Sequence, residues 1–307
     1  MLEISVIIPA FNEGSIIAAI VRGVRAVLDA YSPSYEVLVI DDGSSDDTAA
    51  QARSAGAVVY SHPYNIGNGA AVKSGIRLAQ GKFLVLMDGD GQHDPADIPR
   101  LLEKLETFDM VVGARSNSSK RSPHRTVANL IYNCLATYIC SRRIQDLTSG
   151  YRALKSSIAR RYLYLLPNTF SYPTTITLAV VRAGHSLVYI PIRTRERMGE
   201  SKIRVFKDGL RFLGIIVKIA TLFSPFKIFL PVSAFMFLTG LFYGLYRIFA
   251  LDGGYGPTSG MLMTISVVIF MVGLVFSATI GRSCSRGPPT KQQTSRDFTA
   301  CSADRPA

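Results

Sequence analysis

The acidic segment Asp88-Gly-Asp-Gly-Gln92 combines residue types that can hold a metal ion. Two carboxylates at positions i and i+2 of a chain leaving an extended strand point to the same side. The glycines between them let the backbone come close to a ligand. Carboxylate oxygens bind hard divalent cations, so the spacing predicts a site for such a cation with its bound diphosphate, and Gln92 can add a neutral oxygen ligand. Asp-x-Asp is also common in turns, but its position directly after the apolar run Phe83–Met87 favours the metal site.

Polar segments also follow two earlier apolar runs. Asp41 and Asp42 come directly after Val37–Ile40, and the segment Pro9–Glu13 begins where an apolar run from Ile4 ends. The two adjacent carboxylates can cap the following helix, or they can accept a hydrogen bond from a ring N–H of a nucleobase. Because ligands of open α/β sheets bind at the carboxyl ends of the strands, the sequence predicts a nucleotide site at these segments.

Two neighbouring features carry less information about function. The segment Asn65–Lys73 resembles a glycine loop that binds phosphate at the start of a helix, but its glycines suit tight packing of a helix equally well. His93 lies within the acidic loop and could be a metal ligand. Since one histidine rarely makes a metal site, we favour a role for His93 in shaping the loop.

Short apolar runs alternate with helical patterns along the first two hundred residues. Near-continuous apolar runs are typical of parallel strands covered on both faces. The sequence therefore predicts an α/β fold with a doubly wound, mostly parallel sheet. The predicted strands are Ile4–Ile8, Val37–Ile40, Val58–Tyr60, Phe83–Met87, Met110–Val112 and Leu187–Ile192, and the main predicted helices are Ser15–Tyr31, Asn68–Gln80, Val127–Arg143 and Thr174–Arg182.

The last third of the chain has a different composition. No charged residue occurs over 228–246 or over 253–281, and each gap can hold a membrane-spanning helix of about 20 residues. Before the first gap, apolar residues interleave with basic ones, as in a helix lying in a membrane interface. The predicted parts are a soluble domain over 1–202, amphipathic juxtamembrane helices over 203–226, two transmembrane helices at about 228–247 and 257–281, and a polar, disordered tail over 282–307.

The charge distribution favours a membrane over nucleic acid as partner. Residues 1–109 carry 8 basic and 15 acidic residues, whereas the remaining 198 carry 26 basic and 7 acidic residues, for a net charge of +12. The basic residues flank the apolar spans, which indicates a cytosolic location for the first domain and for both termini. We therefore expect an integral membrane protein that binds no nucleic acid. The four cysteines show no C-x-x-C spacing, so neither a zinc site nor a disulfide framework is indicated.

In chain order, these motifs resemble those of family 2 glycosyltransferases of the polyprenyl-phosphate branch. That branch includes dolichyl-phosphate mannose and glucose synthases and their bacterial undecaprenyl-phosphate relatives. The resemblance covers roughly residues 3–281 and implies a GT-A fold, a nucleotide-sugar donor and Mg²⁺ or Mn²⁺. It rests on the segments Ile7–Glu13, Ile40–Asp46, Asn65–Gly69, Asp88–Pro95, Gly113–Arg115, Asp146–Arg152 and Gly199–Lys202.

The resemblance also implies roles for single residues. The residues expected around the nucleotide-sugar are Pro9, Phe11, Glu13, Asp42 and Asp88, with Arg197, Ser201 and Lys202 in a loop that closes over the donor. Asp41 joins this group through its position beside Asp42. The metal and diphosphate positions are Asp88, Asp90 and Gln92, and the expected phosphate-binding cations are Arg115 and Arg125. Asp146 is either a general base or a residue that holds Arg115 or Arg152 in place, and we favour the second role.

The predicted reaction follows from the chemistry of the acceptor. A phosphate monoester has a second pKa of about 6, so it is already a dianionic nucleophile at neutral pH and needs little help from a base. We expect an inverting transfer of a sugar from a UDP- or GDP-hexose to a polyprenyl phosphate at the cytosolic membrane face. The alternatives are a non-catalytic membrane-anchored nucleotide-sugar-binding protein, or a glycosyltransferase with another membrane acceptor. A processive polysaccharide synthase is disfavoured, because its Gln-x-x-Arg-Trp motif needs a tryptophan and the chain has none. Assembly into a homo-oligomer is left open.

Overall fold

The computed structural model describes residues 2–32, 34–115, 123–169, 171–194, 214, 217–218, 220–221, 224–250 and 254–285. Over these residues the chain divides into two compact units, one over 1–219 and one over 220–307. Each unit is described by itself.

The first unit is built on one mixed sheet. Within the described residues the sheet has seven strands, in the order β3-β2-β1-β4-β6-β5-β7. All neighbouring strands are parallel except at β6, which runs antiparallel to β4 and to β5. This confirms the predicted α/β class and mostly parallel sheet. The strands are β1 (Ile4–Ala10), β2 (Tyr35–Asp41), β3 (Val58–Ser61), β4 (Phe83–Leu86), β5 (Met110–Arg115), β6 (Arg152–Lys155) and β7 (Leu187–Ile192).

Helices cover both faces of this sheet, and their apolar stripes form the core. All seven residues of β1 are buried, and its Val6 and Ile8 share one core cluster with Ile17 and Val24 of the first helix. Burial of each such side chain stabilises the fold by roughly 1.5–3 kcal/mol. The helices of the unit are α1 (Gly14–Tyr31), α2 (Thr48–Ser54), α3 (Asn68–Leu78), α4 (Ile98–Leu105), α5 (Pro123–Cys140), α6 (Ser156–Arg161) and α7 (Tyr172–Arg182).

Strand β6 is the main element that the sequence pattern did not predict. It has only four residues, and it begins with a charged one, Arg152. Arg152 is nevertheless fully buried, because its guanidinium donates hydrogen bonds to the Pro173 carbonyl (2.9 Å) and to Thr177 Oγ1 (3.0 Å) on α7, and also to the Ser149 carbonyl. These acceptors allow a charged side chain to be buried where a strand usually carries an apolar one. The apolar pattern that would predict β6 is therefore interrupted at Arg152.

A polar cluster lies at the amino end of β5. The Asp109 carboxylate accepts hydrogen bonds from Lys155 Nζ (2.8 Å), the Ser186 N–H (3.0 Å) and the Ser186 hydroxyl (3.0 Å). The hydrogen bond from Lys155 is the main cause that holds the pKa of Asp109 well below its ordinary value. This cluster therefore joins β5 and β6 to the turn that precedes β7.

We predict that Asp109→Asn lowers the free energy of unfolding by about 1–2 kcal/mol at pH 7, since it removes the charge from a partly exposed cluster of hydrogen bonds. A depressed folded-state pKa stabilises the fold above the unfolded-state value of about 3.9, and the benefit is lost as the pH falls below it. The difference in unfolding midpoint between wild type and variant should therefore shrink from pH 7 to pH 3.5. A difference that stays constant over this range would contradict the assignment.

The second unit is a hairpin of two long apolar helices, α8 (Phe226–Ala250) and α9 (Pro257–Ser285). The Phe229 ring stacks on Phe276 near one end, with 6.1 Å between ring centroids, whereas Gly240 lies against Leu262 nearer the connection, so the helices run antiparallel. In the described part of the chain these two helices are long and apolar enough to cross a membrane, over Phe226–Phe249 and Pro257–Ala278. Only 17% and 11% of their most apolar windows are buried, so their apolar surface faces outward, as expected of a membrane protein.

The predicted spanning helices at 228–247 and 257–281 both fall inside the observed ones. Helix α9 continues to Ser285, so the first four residues of the predicted tail are helical. The rest of the tail, and most of the predicted amphipathic region over 203–226, lie outside the described residues.

Candidate active site

The predicted donor-binding residues that the structure describes lie at one edge of the sheet, where β1, β2 and β4 have their carboxyl ends. The parallel register pairs Pro9 with Ile40 and Ala10 with Asp41. The Asp42 N–H donates to the Ala10 carbonyl (2.9 Å), which extends the pairing by one residue. The loops after these strands therefore form a common crevice, as expected of a doubly wound sheet.

The loops after β1 and β2 are tied together by side chains. The Asn12 N–H donates to Ser44 Oγ (2.9 Å), and the Ser45 N–H donates to Asn12 Oδ1 (2.9 Å). Asn12 has a φ of +56°, in the left-handed region that asparagine tolerates better than most residues. Phe11 and Glu13, on either side of Asn12, are both half-buried.

The two aspartates at the end of β2 both accept hydrogen bonds from other residues of the chain. Asp41 is buried, and its Oδ1 accepts from the Ser44 N–H (2.9 Å). Asp42 is only 2% exposed, and its carboxylate binds His62 Nδ1 (2.7 Å) and the N–H groups of Ile66 (3.1 Å) and Gly67 (2.8 Å). Asp42 thus orders the loop that precedes α3, and no pattern in the sequence had indicated a partner for His62.

The glycines of the segment Asn65–Lys73 allow this segment to pack closely against residues 167–169. Gly67 has a φ of +122°, and a Cβ on it or on Gly69 would overlap backbone carbonyls of residues 167–169. The Asn168 carbonyl also accepts from the Ala70 N–H (3.3 Å) in the first turn of α3. Of the two readings of this segment, the structure favours the packing one over a phosphate-binding loop.

The acidic loop after β4 is only partly open to solvent. The Asp88 side chain is 31% exposed, and its Oδ2 lies 3.3 Å from His93 Nε2. Burial raises the pKa of Asp88, but the hydrogen bond with His93 and the charges of Arg115 and Arg152 outweigh this effect and hold the pKa below its ordinary value. Asp88 is therefore ionised at neutral pH.

Asp90 and His93 are both held within this loop. Asp90 Oδ1 accepts from the Gln92 N–H (3.2 Å), so the second carboxylate and Gln92 belong to one turn. His93 is buried and stacks on the Tyr151 ring, with 4.8 Å between centroids, while the Tyr151 hydroxyl donates to the Asp94 carbonyl (2.9 Å). These contacts fit the predicted role of His93 in shaping the loop.

Arg115, at the end of β5, forms a bidentate ion pair with Asp146. Its Nε and Nη2 donate to the two Asp146 oxygens, both at 2.8 Å, and its backbone N–H donates to Oδ2 at 3.2 Å. Burial lowers the pKa of Arg115, but the hydrogen bonds and charge of Asp146 outweigh this effect and raise the pKa above its ordinary value. Arg115 is thus a fixed cation within electrostatic reach of Asp88 and Asp90.

Comparison with known proteins identifies the family. Residues 5–163, just over half of the chain, match glycosyl transferase family 2. The chain belongs to this family. Residues 224–282 also match the GtrB C-terminal hairpin, which fits the observed pair α8 and α9. The predicted glycosyltransferase is therefore confirmed.

Two relatives are similar to this glycosyltransferase over much of their length. The undecaprenyl-phosphate 4-deoxy-4-formamido-L-arabinose transferase of Klebsiella pneumoniae is 27% identical over 286 residues, which cover 89% of this chain and 85% of the relative. The dodecaprenyl-phosphate galacturonate synthase of Rhizobium johnstonii is 31% identical over 168 residues, or 52% of this chain and 50% of the relative. These names fit the predicted polyprenyl-phosphate branch.

Solved structures confirm the fold of this glycosyltransferase. Glucosyl-3-phosphoglycerate synthase from Mycobacterium tuberculosis, in complex with phosphoglyceric acid, superposes with a TM-score of 0.60. The two sequences are 19% identical, and the match covers 71% of this chain and 80% of the other. The same enzyme has been crystallised with Mn²⁺, uridine-diphosphate and phosphoglyceric acid. At this identity the likeness speaks for the fold alone.

The carboxylate oxygens of the acidic loop suit a divalent cation as ligands. Asp88 and Asp90 offer hard carboxylate oxygens on one loop, and Asp88 is ionised and partly open to solvent. Among the described residues no group of three or more His, Cys, Asp or Glu side chains could enclose a metal ion. Two carboxylates suit a cation that takes its remaining ligands from water and a bound diphosphate.

The side chains of four predicted site residues lie outside the described part of the structure. Arg125 lies in the first turn of α5, but its side chain is outside the described part of the structure. Arg197, Ser201 and Lys202 also lie outside the described residues. Their roles in binding the acceptor phosphate and in closing over the donor stay predictions.

Gly150 is a site residue that sequence reasoning missed. A Cβ at this position would overlap the Asp88 carboxylate, so the carboxylate can keep its place only with glycine at position 150. The available signal was the glycine itself, within a motif that also contains Asp146 and Arg152. Gly150 therefore fixes the space in which Asp88 lies.

We predict that Gly150→Ala lowers sugar transfer at least about tenfold, because the added methyl group displaces the Asp88 carboxylate from a position where small shifts are costly. The matched control is Gly260→Ala in α9, where an added Cβ meets nothing within 4 Å. Initial rates and thermal unfolding of both variants check this. Wild-type activity in folded Gly150→Ala would contradict the placement of Asp88.

Proposed function

We propose that this glycosyltransferase moves a sugar from a nucleotide-sugar, a UDP- or GDP-hexose, to a polyprenyl phosphate at the cytosolic face of the membrane, with inversion at the anomeric carbon. One observation carries the proposal: Arg115, paired with Asp146 at the end of β5, lies within electrostatic reach of Asp88 and Asp90. Such an arrangement would hold a leaving diphosphate and an incoming phosphate at the same time.

The acceptor proposal also draws on the relatives. The Klebsiella relative is named as an undecaprenyl-phosphate transferase and the Rhizobium relative as a dodecaprenyl-phosphate synthase. Both acceptors are polyprenyl phosphates, and the hairpin of α8 and α9 would keep the enzyme at the bilayer where such lipids reside. The basic residues Lys227 and Arg282 at the outer ends of the hairpin favour the cytosolic side for the first unit.

On the donor side, Asp88, Asp90 and Gln92 would hold Mg²⁺ or Mn²⁺, which neutralises charge on the leaving nucleoside diphosphate. The nucleotide would lie in the crevice between the loops after β1 and β2, beside Pro9, Phe11, Glu13, Asp41 and Asp42. The segment with Arg197, Ser201 and Lys202 would close over the donor.

On the acceptor side, Arg115 would bind the lipid phosphate through Nη1, since Nε and Nη2 donate to Asp146 and Nη2 also donates to Thr148 Oγ1, and Arg125 would add a second cation. Arginine suits this task because it binds phosphate with paired N–H groups. The phosphate dianion is itself the nucleophile, and in-line attack on the anomeric carbon inverts that centre. Asp146 would orient Arg115 and would remove no proton.

Mass spectrometry of lipid extracts tests this function. Membranes containing the protein are incubated with one of UDP-glucose, UDP-galactose, UDP-N-acetylglucosamine or GDP-mannose. We expect a polyprenyl phosphate that is heavier by one sugar with at least one donor, and no such product in membranes that contain Asp90→Asn. Formation of a different glycolipid, with polyprenyl phosphate unchanged, would place the acceptor in another class.

A further inference from the structure

The loop between α5 and β6, residues 141–151, carries Asp146 and is fastened to α5 by a single side-chain amide. Asn133, on α5, donates from Nδ2 to the Gln145 carbonyl (2.8 Å). Its Oδ1 accepts from the Leu147 N–H (3.1 Å). The amide of Asn133 therefore binds the residues directly before and directly after Asp146, and it fixes the backbone on both sides of this aspartate.

Burial holds the same loop from its other side. Ile144 and Leu147 are 4% and 0% exposed, and Asp146 between them is buried as well. The Asn133 amide satisfies its partners in one orientation, because its NH₂ group meets a carbonyl and its oxygen meets an N–H. The backbone around Asp146 thus has little freedom to turn while Asn133 is in place.

Asparagine is a residue type that a helix interior does not favour. Its side chain competes with the backbone for hydrogen bonds, which places it low among helix formers. Asn133 makes both of its bonds outside the helix, to the loop that carries Asp146. Loop stability alone would account for these bonds, whereas a role in placing Asp146 has a further consequence for Arg115.

The orientation of the Asp146 carboxylate decides which nitrogen of Arg115 is left for a ligand. Asp146 accepts from Arg115 Nε and Nη2, both at 2.8 Å, and Nη2 also donates to Thr148 Oγ1. The proposed function therefore assigns Nη1 to the lipid phosphate. Because the ion pair is bidentate, a rotation of the Asp146 carboxylate would turn the guanidinium plane with it and would redirect Nη1.

We propose that Asn133 is a positioning residue for the acceptor phosphate: by holding both neighbours of Asp146, it sets the direction in which Arg115 presents Nη1. This inference rests on the proposed function, which assigns the phosphate to Arg115. The second expected cation, Arg125, lies in the first turn of the same helix, eight residues before Asn133. Helix α5 would therefore carry one cation of the phosphate site directly and hold the other through Asn133 and Asp146.

The first test compares Asn133→Ala with the wild type, as full-length proteins in vesicles with Mn²⁺ and the nucleotide-sugar that yields product among the four named above. The kcat/KM for polyprenyl phosphate should fall about tenfold or more, since small displacements of a binding group are costly, whereas KM for the nucleotide-sugar should stay within about twofold. Alanine favours a helix more than asparagine does, which offsets part of the stability lost with the two bonds.

The outcomes of this test separate the inference from the proposed function. If the wild type glycosylates polyprenyl phosphate and folded Asn133→Ala does so with unchanged kcat/KM, the inference is overturned and the proposed function stands. If the wild type transfers no sugar to polyprenyl phosphate from any of the four donors, both are overturned.

Thr137, one turn after Asn133 on α5, provides the matched control. Its Oγ1 accepts from the Ile144 N–H (3.0 Å), so Thr137→Val also removes a hydrogen bond between α5 and the loop, but none beside Asp146. We expect Thr137→Val to keep the wild-type kcat/KM for the lipid. An equal loss in Thr137→Val and Asn133→Ala would identify loop stability as the cause and overturn the positioning role.

The second test combines Asn133→Ala with Arg115→Ala. If Asn133 acts through Arg115, the double variant should be no more than about twofold less efficient with the lipid than Arg115→Ala alone. Independent effects would multiply, and a further loss of about tenfold in the double variant would overturn the inference. If Asn133→Ala fails to fold, Asn133→Gln takes its place in every comparison and is judged by the same outcomes, because it keeps both hydrogen-bonding groups and displaces them by one methylene.

Discussion

Asp90→Asn should reduce sugar transfer by a factor on the order of 10²–10³ while the protein still folds and inserts into membranes. Asp90 and Asp88 offer the carboxylates of the acidic loop, and a single carboxylate holds Mg²⁺ weakly. Asp90 Oδ1 accepts a hydrogen bond from the Gln92 N–H (3.2 Å), and an asparagine oxygen can accept the same bond. The expected loss is therefore one of charge and not of structure.

The measurement is the initial rate of lipid glycosylation at saturating lipid, over a range of Mn²⁺ concentrations. Asp97→Asn is the matched control, because Asp97 lies seven residues further along and pairs with Arg100 on α4 (2.5 Å). We expect this control to keep wild-type rates. Near-normal product formation by Asp90→Asn in the presence of EDTA would refute the metal site.

Arg115→Ala should lower kcat/KM for the lipid by roughly one to two orders of magnitude, since it removes a charge-assisted contact worth about 1.5–3 kcal/mol. The affinity for the nucleotide should change little, because the crevice between the loops after β1 and β2 does not involve Arg115. Arg115→Lys should restore only part of the activity, since lysine is a point charge and cannot bind Asp146 and a phosphate as a planar fork can. Rates with varied lipid and saturating donor, together with nucleotide titrations, check these results.

The partner variant Asp146→Asn separates activation by charge from activation by a base. If the lipid dianion is the nucleophile, the acid limb of the rate profile follows the lipid phosphate near pH ~6 and persists in this variant. The rate itself should fall less than in Arg115→Ala, because asparagine still offers one acceptor to Arg115. A collapse of activity at every pH, with folding and phosphate binding intact, would show that Asp146 is a required base.

The sequence predicted the parts of the site that depend on strand ends. Apolar runs predict buried strands, and polar residues directly after parallel strands must meet at one edge, so Asp42 and Asp88 were expected in one crevice. The hairpin was predictable for a different reason: an uncharged apolar run of about 20 residues is long enough to cross a membrane as a helix. Both predictions depend only on local pattern and on a general rule of topology.

Contacts between distant segments could not be predicted in this way. His62 gave no signal because its partners, Asp42 and Ser74, lie 20 and 12 residues away and have no characteristic spacing. Arg152 broke the apolar pattern of β6, since only the carbonyls and hydroxyl presented by the loop and α7 make its burial possible. The choice between phosphate binding and packing at Gly67 likewise depended on a segment about one hundred residues further along.

The stoichiometry of the reaction in bilayers tests the proposed transfer to polyprenyl phosphate. Full-length protein in vesicles is supplied with Mn²⁺, the accepted nucleotide-sugar, and either polyprenyl phosphate or the matching polyprenol, and both the glycolipid and the free nucleoside diphosphate are quantified. We expect one nucleoside diphosphate released for each polyprenyl phosphate glycosylated, and no glycolipid from the polyprenol. Equal glycosylation of the polyprenol, or release of free sugar at the same rate without any lipid, would contradict the proposed transfer.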